Sequence, residues 1–478
     1  MTASKTRRPA RGASRKPARK TPWIPILLVL AAGIAATLAW PYVNPAPEVV
    51  RPTGDLEPAV EALLTPRLAA AAATPRDAAV HADLGMAYEA NGLWPEARAS
   101  YAQAVDLDAR PAWRLHLAIT SRQAGDADAA LETLRDLAAD APEYAPAQQY
   151  LGEALLEAGD LDGAEAAFRS GIALTPSQPY AYVGLGDVLI QRGRHADAAQ
   201  VLEQAIRLED DYRRAHFLLG TAYTRLGREA EGDIELQRGV GAVPAYQPDE
   251  LKPQITAYTV NLTGRLTLAG AYLDGGNPSE AVRLLEETYR TNASNVMLLN
   301  TLGSGYLRMR RFDDAERLLK RAMPLDTTTF VTPLNLYNWA LYQGRPAEAL
   351  RYADMAVARA PERDNTHLAR AQALTELGRL DEALASADRA RELAPGTAQN
   401  HGLSGDICYK LKRYEEARAH FSRAVALEPG LFPVWIGLAQ SNWELGDPEA
   451  ARAALAEAHR LAPNHRLVDE LTARFAAR

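Results

Sequence analysis

The sequence predicts an all-α protein made of repeated helix pairs and preceded by one transmembrane helix, and three observations lead to this prediction. The 478-residue chain is rich in Ala, Leu, Glu and Arg, which favour helices. Small residues recur with a period of 34 from about residue 78 onward. Residues 22–43 carry no charge, and a stretch of that length suffices to cross a bilayer as a helix.

The composition excludes several classes of protein. A chain of 478 residues is too long for one compact core, so several domains or an extended array is expected. Hydrophobic residues make up 47% and charged residues 24%, which is typical of a folded protein. The single cysteine, Cys408, excludes an internal disulfide and a cysteine-based metal site. Its apolar neighbours favour a small core residue over a nucleophile.

The charge is distributed unevenly along the chain. Residues 1–21 hold eight Lys and Arg and no acid, so a net charge of −7 overall leaves −15 for the rest. An acidic body argues against a broad nucleic-acid-binding surface, which needs clustered cations. The basic tail is interpreted as a disordered cytoplasmic determinant of topology, and contact with DNA, RNA or anionic lipid is the alternative.

Residues 22–43 are predicted to be a transmembrane helix that acts as a signal anchor. Trp23 at one end and Trp40 with Tyr42 at the other suit the two membrane interfaces. The positive charges before the segment predict a cytoplasmic N-terminus, which in a Gram-negative bacterium would put the later residues in the periplasm. Two alternatives are a signal peptide cleaved near residues 37–39, which would release the protein into the periplasm, and a buried soluble helix.

Three short segments flank the repeats. Residues 44–55 are rich in proline and are predicted to be a semi-rigid linker. Residues 56–77 are predicted to form a capping helix that Pro66 kinks or splits, and residues 466–478 a C-terminal capping helix. Such caps are needed because the outer faces of terminal repeats would otherwise expose apolar surface.

The repeats are identified from four positions that keep one phase across eleven units. An alanine stands early in the second helix of ten units, and Gly232 takes its place in the fifth. A glycine often precedes this position by five residues, a small residue precedes it by twelve, and a proline often follows it by twelve. The alanines are Ala97, Ala130, Ala164, Ala198, Ala281, Ala315, Ala349, Ala383, Ala417 and Ala451. The glycines five residues earlier are Gly92, Gly125, Gly159, Gly193, Gly227, Gly276, Gly344, Gly378 and Gly446.

The pattern resembles the tetratricopeptide repeat, a helix–turn–helix unit of 34 residues. A representative unit runs from Tyr150 through Gly159 and Ala164 to Pro176. The turn glycine supplies a positive φ, the small residues mark a close helix crossing, and the proline cannot continue the second helix. The resemblance covers residues 78–465 and implies a right-handed superhelical solenoid of about eleven repeats.

A few residues depart from this pattern. Arg310 and Lys412 stand at the turn position where glycine is expected. Tyr337 stands at a position in the first helix that is otherwise small, which argues against equally close packing in the eighth unit.

One interruption divides the array. Residues 247–261 are additional to the period and separate repeats 1–5, residues 78–246, from repeats 6–11, residues 262–465. They are interpreted as a joint between two blocks of repeats. The alternative is a binding loop, because insertions in repeat arrays map to one face that is often used for binding.

The resemblance also implies where a ligand binds. In this family the first helix of each repeat lines the concave surface, and side chains at unit positions 2, 5, 9, 12 and 13 face inward. Their mixture of Arg, Asn and aromatic side chains suits an extended peptide. A chaperone C-terminal carboxylate is not expected, because Leu334 stands where the family's clamp has lysine. The candidate partner-binding residues are Tyr180, Asp187, Gln191, Arg214, Phe217, Thr221, Arg225, Asn300, Ser304, Arg308, Asn338 and Tyr342.

The sequence predicts a scaffold and not an enzyme. It contains no phosphate-binding loop, zinc-protease helix or haem-attachment motif, so neither a cofactor nor a metal is expected. The first hypothesis is a scaffold in the inner membrane that binds partner proteins or peptides and assembles an envelope complex. The alternatives are an accessory subunit of a membrane enzyme or secretion complex, and a regulator whose basic tail binds nucleic acid. Self-association through exposed repeat ends is a further expectation.

Overall fold

The structure is a computed structural model that describes residues 46–243, 245–463 and 465–476. These residues form 25 helices joined by turns and short extended segments, which confirms the predicted all-α repeat architecture. The predicted basic tail and the apolar segment 22–43 lie outside the described residues. Within the described ranges, no helix combines the length and the apolar character needed to span a membrane.

The helices are arranged as a cap, eleven hairpins and a second cap. The first cap is α1 (Pro58–Ala73), which continues through Pro66. Repeats 1–5 comprise α2 (Ala78–Ala90), α3 (Trp94–Leu107), α4 (Pro111–Gln123), α5 (Ala127–Asp140), α6 (Ala145–Glu157), α7 (Leu161–Leu174), α8 (Tyr180–Gln191), α9 (His195–Leu208), α10 (Arg213–Arg225) and α11 (Glu229–Arg238). A short helix, α12 (Lys252–Ala257), lies in the insertion. Repeats 6–11 comprise α13 (Leu262–Asp274), α14 (Pro278–Tyr289), α15 (Val296–Arg308), α16 (Phe312–Ala322), α17 (Val331–Tyr342), α18 (Pro346–Arg359), α19 (Asp364–Glu376), α20 (Leu380–Leu393), α21 (Ala398–Lys410), α22 (Tyr414–Leu427), α23 (Phe432–Glu444) and α24 (Pro448–Leu461). The second cap is α25 (Arg466–Ala476).

The turn within each hairpin requires a residue in the left-handed backbone conformation, with a positive φ. All nine turn glycines identified in the sequence have a positive φ, between 64° and 92°. Arg310 and Lys412 occupy the same turn position and adopt φ values of 59° and 62°. A side chain in this region clashes with the backbone, so these two turns are strained in a way that the other nine are not.

Replacing either strained residue with glycine is expected to stabilise the protein. Arg310→Gly or Lys412→Gly should each add about 0.5–1 kcal/mol, because the relief of strain exceeds the extra entropy that glycine gives the unfolded chain. Urea unfolding followed by circular dichroism measures the change. The matched control is Gly446→Ala, whose added Cβ meets no atom within 4 Å, so that its expected loss of about 1 kcal/mol reports the backbone alone. A lowered urea midpoint for both glycine variants would contradict the strain.

The two helices of a hairpin cross where a glycine faces a large side chain sixteen residues later. A Cβ added to Gly152 would lie 2.7 Å from the ring of Phe168, and one added to Gly405 would lie equally close to Phe421. The pattern alanines lie in the same interfaces and are at most 2% exposed. Because these positions have no free space, the small residues fix how closely the helices approach.

In repeat 8 the large and small positions are exchanged. Tyr337 occupies the glycine position and is buried, and Ala353, sixteen residues later, stands where nine of the other ten repeats have Phe, Tyr or Leu. Both residues belong to one core cluster, and the Tyr337 hydroxyl donates to Gln372 Oε1 of the next repeat at 3.0 Å. The total side-chain volume at the crossing is therefore largely conserved, and close packing is retained despite the tyrosine.

This exchange predicts a non-additive pair of substitutions. Tyr337→Gly alone should cost on the order of 3 kcal/mol through the cavity it leaves. Ala353→Leu alone should cost about 1–3 kcal/mol through overpacking. The double variant should be more stable than the sum of the two changes by at least about 1 kcal/mol, as measured by urea unfolding. Strict additivity would show that the two positions do not share one space.

The caps and the extended N-terminal segment pack directly on the array. Leu64 of α1 lies in one core cluster with Leu84 and Tyr88 of repeat 1. The Tyr88 hydroxyl donates to the carbonyl of Val50 at 2.7 Å, which holds the segment before α1 against the same repeat. At the other end, α25 places the Phe475 ring 4.2 Å from that of Trp443.

Repeats 5 and 6 do not continue one stack. Within each block every hairpin packs on the next, whereas α11 and α13 do not form a packed helix pair. Instead, α11 approaches α22 of repeat 10, and the Gln237 side chain lies over Gly396. The chain leaves repeat 5 after α11 and returns along repeats 1–3 before repeat 6 begins, so the array consists of two blocks.

Candidate functional site

The additional residues lie in a groove of the first block. Residues 245–261, here called the insert segment, contact side chains of α2, α4 and α6, which are the first helices of repeats 1, 2 and 3. These are the helices that, by the resemblance described above, are expected to line the concave face. The segment runs from Tyr212, which precedes α10, toward α1, where the N–H of Leu262 donates to Glu57 Oε2 at 3.0 Å.

The groove holds the backbone of the segment through side-chain amides. The Gln149 amide donates to the carbonyl of Ala245 at 3.3 Å and accepts the N–H of Gln247 at 2.7 Å. The Tyr212 hydroxyl also donates to the Ala245 carbonyl, at 3.1 Å. Contacts to backbone atoms are available to any extended peptide, so they give binding without demanding a particular sequence.

An aromatic slot receives the next side chain of the segment. The Tyr246 ring stacks on Tyr150 with centroids 4.6 Å apart. Arg122 lies over the same ring and donates to the Tyr246 hydroxyl at 3.1 Å. The stacked ring and its charged cover form a pocket that fits a phenol better than an aliphatic side chain.

A buried charge cluster holds the acidic residue of the segment. The two ring nitrogens of His116 lie 3.0 Å from Asp249 Oδ2 and 2.8 Å from Glu89 Oε2. The His116 and Asp249 side chains are 5% and 4% exposed. Two carboxylates flanking one imidazole favour the protonated histidine, which donates a hydrogen bond to each.

Both groups of this pair titrate away from their ordinary values. Burial alone would lower the pKa of the His116 imidazole, but the hydrogen bonds to Asp249 and Glu89 outweigh it and raise the pKa to about 9. Burial opposes ionisation of the Asp249 carboxyl, yet the hydrogen bonds from His116 and from the N–H groups of Leu251 and Lys252 hold its pKa below the usual value. The cluster is therefore an ion pair at neutral pH.

The second half of the insert segment is anchored by apolar contacts. Ile255 of α12 is buried with Met86 and Trp113 in one core cluster. The Asn91 amide donates to the carbonyl of Tyr258 at 2.9 Å and accepts the N–H of Val260 at 3.1 Å. This half is held as part of the core formed by repeats 1 and 2.

Three of the predicted residues of repeats 4 and 5, Asp187, Gln191 and Arg214, form a polar network beside the occupied groove. Arg214 pairs with Asp187 and with Glu153, each at 3.2 Å. Gln191 donates to Asp187 at 3.1 Å, and the Tyr180 ring meets the edge of Tyr212. The three remaining predicted residues of these repeats, Phe217, Thr221 and Arg225, lie on α10, where the Thr221 hydroxyl donates to the carbonyl of Phe217 at 2.9 Å. Their role in partner binding stays a prediction.

The predicted residues of repeats 7 and 8 are placed less uniformly. Asn300 is only 5% exposed and donates to Thr332 of the next repeat, so its amide serves packing between repeats. Arg308 donates to the carbonyl of Leu273. Ser304 and Asn338 are half-buried. Tyr342 is 63% exposed at the end of α17, close to the ring of Phe312.

Sequence reasoning did not identify the residues that hold the insert segment. Gln149 stands at unit position 5 and both Glu89 and Arg122 at position 12, so the family's inward positions, if applied to repeats 1–3, would have included them. His116 and Asn91 stand at positions 6 and 14 and fall outside that set. Their contacts are visible only once the path of the insertion is known.

The repeat identity is supported by comparison with known families. Sequence profiles described as tetratricopeptide repeat match residues 121–185, 409–475, 266–326, 338–398 and 368–433, and one described as TPR repeat matches residues 186–227. Together these matches cover more than half of the chain. The chain therefore belongs to the tetratricopeptide-repeat family. Proteins with this repeat generally mediate protein–protein interactions, and the fold is typically a non-catalytic scaffold.

Comparison with solved structures gives matches of low sequence identity. The Cut9–Hcn1 hetero-tetramer of the APC/C gives 14% identity over 80% of this chain and 93% of that chain, with a TM-score of 0.42. PilW, described as a type IV pilus biogenesis factor, is 17% identical over 45% of this chain and 100% of that chain, with a TM-score of 0.41. Yeast Tom70 is 14% identical over 84% of this chain and 94% of that chain, with a TM-score of 0.37. At these identities the similarity is one of fold alone. Comparison with curated protein sequences gives no match.

The raised pKa of His116 predicts that docking of the insert segment depends on pH. The histidine contributes fully below its unfolded value of about 6.5, and this contribution is lost as the pH rises toward 9, at a cost on the order of 3 kcal/mol. The thermal unfolding midpoint should therefore fall between pH 6.5 and 9. In His116→Gln this fall should be largely absent, whereas the control His367→Gln, on repeat 9, should retain it. Parallel pH profiles for all three proteins would contradict the role of His116.

Proposed function

We propose that this protein is a membrane-tethered scaffold that binds an extended segment of a partner protein on the concave face of repeats 6–8. The tether is residues 22–43, with the repeats on the periplasmic side of the inner membrane. The partner belongs to an envelope complex that the scaffold helps to assemble. The same binding face would serve an accessory subunit of a membrane enzyme or secretion complex.

One observation carries this proposal, namely the insert segment in the groove of repeats 1–3. The concave side chains of this array already hold an extended stretch of chain through Gln149 and Tyr212, whose contacts are to backbone atoms. A face built from the same repeat in the second block has the same geometry to offer. Extended-peptide binding is therefore the function that the described contacts support best.

The concave face of repeats 7 and 8 has the chemistry that such a partner requires. Met297 and Tyr342 are 64% and 63% exposed, and Val331 is also exposed. Exposed large apolar side chains on these first helices give a partner segment apolar surface to bury. Ser304 and Asn338 lie on the same helices and provide polar atoms for a peptide backbone. An apolar segment with regularly spaced anchors fits this face.

The contacts of the N-terminal segment bear on how the scaffold would stand at the membrane. The carbonyls of Glu48 and Val50 accept hydrogen bonds from Gln103 and Tyr88 of repeat 1, each at 2.7 Å. Only a few residues then separate the proposed membrane helix from the first repeat. The scaffold would therefore stand close to the bilayer in a defined orientation, and not at the end of a long free spacer.

Site-specific crosslinking tests the binding face. A photoreactive amino acid at position 342 or 297 should crosslink a protein partner in native membranes. The same amino acid at position 317 should not, because Arg317 lies on the second helix of repeat 7 with its side chain 70% exposed. Tyr342→Glu should reduce partner capture at position 297 at least tenfold through charge repulsion and lost apolar contact. Equal crosslinking at all three positions would overturn the proposed face.

The tether needs a separate experiment. Protease added to spheroplasts should digest residues 60–478 and leave the protein bound to the membrane fraction through its N-terminal segment. Full protection of the repeats would reverse the proposed orientation, and recovery of the protein in the soluble periplasmic fraction would favour the cleaved signal peptide.

A further inference from the structure

The two halves of the insert segment are held by different kinds of contact. Residues 251–258 bury Ile255 and pack Leu251 and Tyr258 into the core of repeat 1. Residues 245–250 contribute no large aliphatic side chain. Their contacts are hydrogen bonds, one ring stack, the Arg122 guanidinium over Tyr246 and one ion pair, and Ala245 packs against the apolar cluster of repeats 3–5. The first half is therefore attached as a ligand is attached, whereas the second half is part of the fold.

The stacking of repeats 1–5 does not pass through residues 245–250. Each of these hairpins packs directly on its neighbours through its own helices. The chain before residue 245 contains Gly239 and Gly241, the latter with a φ of 77°. Removal of the six residues from the groove would leave the helix contacts of the first block in place.

The groove itself specifies what it can bind. It offers Gln149 and Tyr212 to a backbone, a slot between Tyr150 and Arg122 to an aromatic ring, and His116 to a carboxylate. In the chain's own occupant the tyrosine and the aspartate are three residues apart, at positions 246 and 249. Glu89 already balances part of the positive charge on the His116 imidazolium. Asp249 also accepts hydrogen bonds from the N–H groups of Leu251 and Lys252, which belong to the insert segment itself.

We propose that residues 245–250 are an internal ligand, and that the groove of repeats 1–3 is a second binding site whose occupant is a partner protein's extended segment bearing a tyrosine and, three residues later, a carboxylate. This site is separate from the face proposed on repeats 6–8. The partner segment displaces residues 245–250, takes over the contacts to Gln149, Tyr150 and His116, and leaves α12 anchored on repeat 1.

An internal ligand makes this site selective by competition. A tethered segment acts at an effective concentration in the millimolar range, so an external segment must bind better or be held nearby at comparable concentration. An acidic peptide that binds weakly would therefore be excluded from the groove while residues 245–250 occupy it. A partner already held elsewhere on the scaffold would gain access, which links occupation of the groove to prior recruitment.

The test compares peptide binding to the closed and opened forms of the full-length protein in detergent. The probe is a fluorescein-labelled synthetic peptide with the sequence of residues 243–252. The opened form is the variant Tyr246→Ser with Asp249→Asn, which removes both anchors of the internal ligand and leaves every groove residue intact. Fluorescence anisotropy should show at least tenfold tighter binding to the opened form than to the native protein.

Two controls make the result specific to the groove. Adding Gln149→Ala and His116→Gln to the opened form should abolish peptide binding, and a peptide carrying the Tyr→Ser and Asp→Asn changes should not bind. The proposal is overturned if the opened form, folded by circular dichroism, binds the probe no better than the native protein. Should the double variant fail to fold, Asp249→Asn alone supplies the same comparison.

A second copy of this chain is the competing occupant, and it has a distinct signature. Mutual exchange of residues 245–250 would give a dimer of the native protein that the opened form cannot make, and sizing chromatography would reveal it. That outcome would overturn the partner proposal. Because the crosslinking positions on repeats 7 and 8 are unaffected by these variants, failure of one proposal is distinguishable from failure of the other.

Discussion

The close crossing of the two helices in each hairpin is the constraint on which the rest of the structure depends. In nine of the eleven repeats a glycine or alanine in the first helix meets a larger side chain sixteen residues later, and a Cβ added to Gly152 or Gly405 would lie 2.7 Å from that side chain. Identical crossings repeated at a spacing of 34 stack into a regular array, and the array turns its first helices toward one face. The groove exists because the eleven helix crossings have compatible geometry. The exchange of Tyr337 and Ala353 shows that the combined side-chain volume at a crossing matters more than which residue stands at each position.

Much of this architecture is predictable from the sequence because it is local. Period, turn position and capping helices follow from small residues and helix punctuation, and even Arg310 and Lys412 adopt the left-handed turn that their position demands. The path of residues 245–261 is different in kind. His116 and Asp249 are 133 residues apart, and the local sequence around either residue does not predict its contact with the other. The predicted partner-binding residues followed the repeat pattern, whereas the occupied groove depends on a contact that interrupts it.

The two blocks differ in the state of their concave faces. Repeats 1–3 hold a stretch of the chain itself, with a tyrosine in an aromatic slot and an aspartate on a buried imidazole. Repeats 7 and 8 present Met297 and Tyr342 to solvent. One repeat family thus builds a polar groove and an apolar one on a single scaffold. The difference arises from a few side chains on the first helices of the two blocks.

The insert segment is also the only covalent connection between the two blocks, and this gives it a mechanical role. A pull between the N-terminal end of the described chain and repeats 6–11 acts along the backbone of residues 245–261, which lie in the groove. The contacts of Gln149 and His116 then resist the force that would pull the segment out of the groove. If the segment left the groove and the contact between α11 and α22 also opened, its 17 residues could span about 60 Å when fully extended.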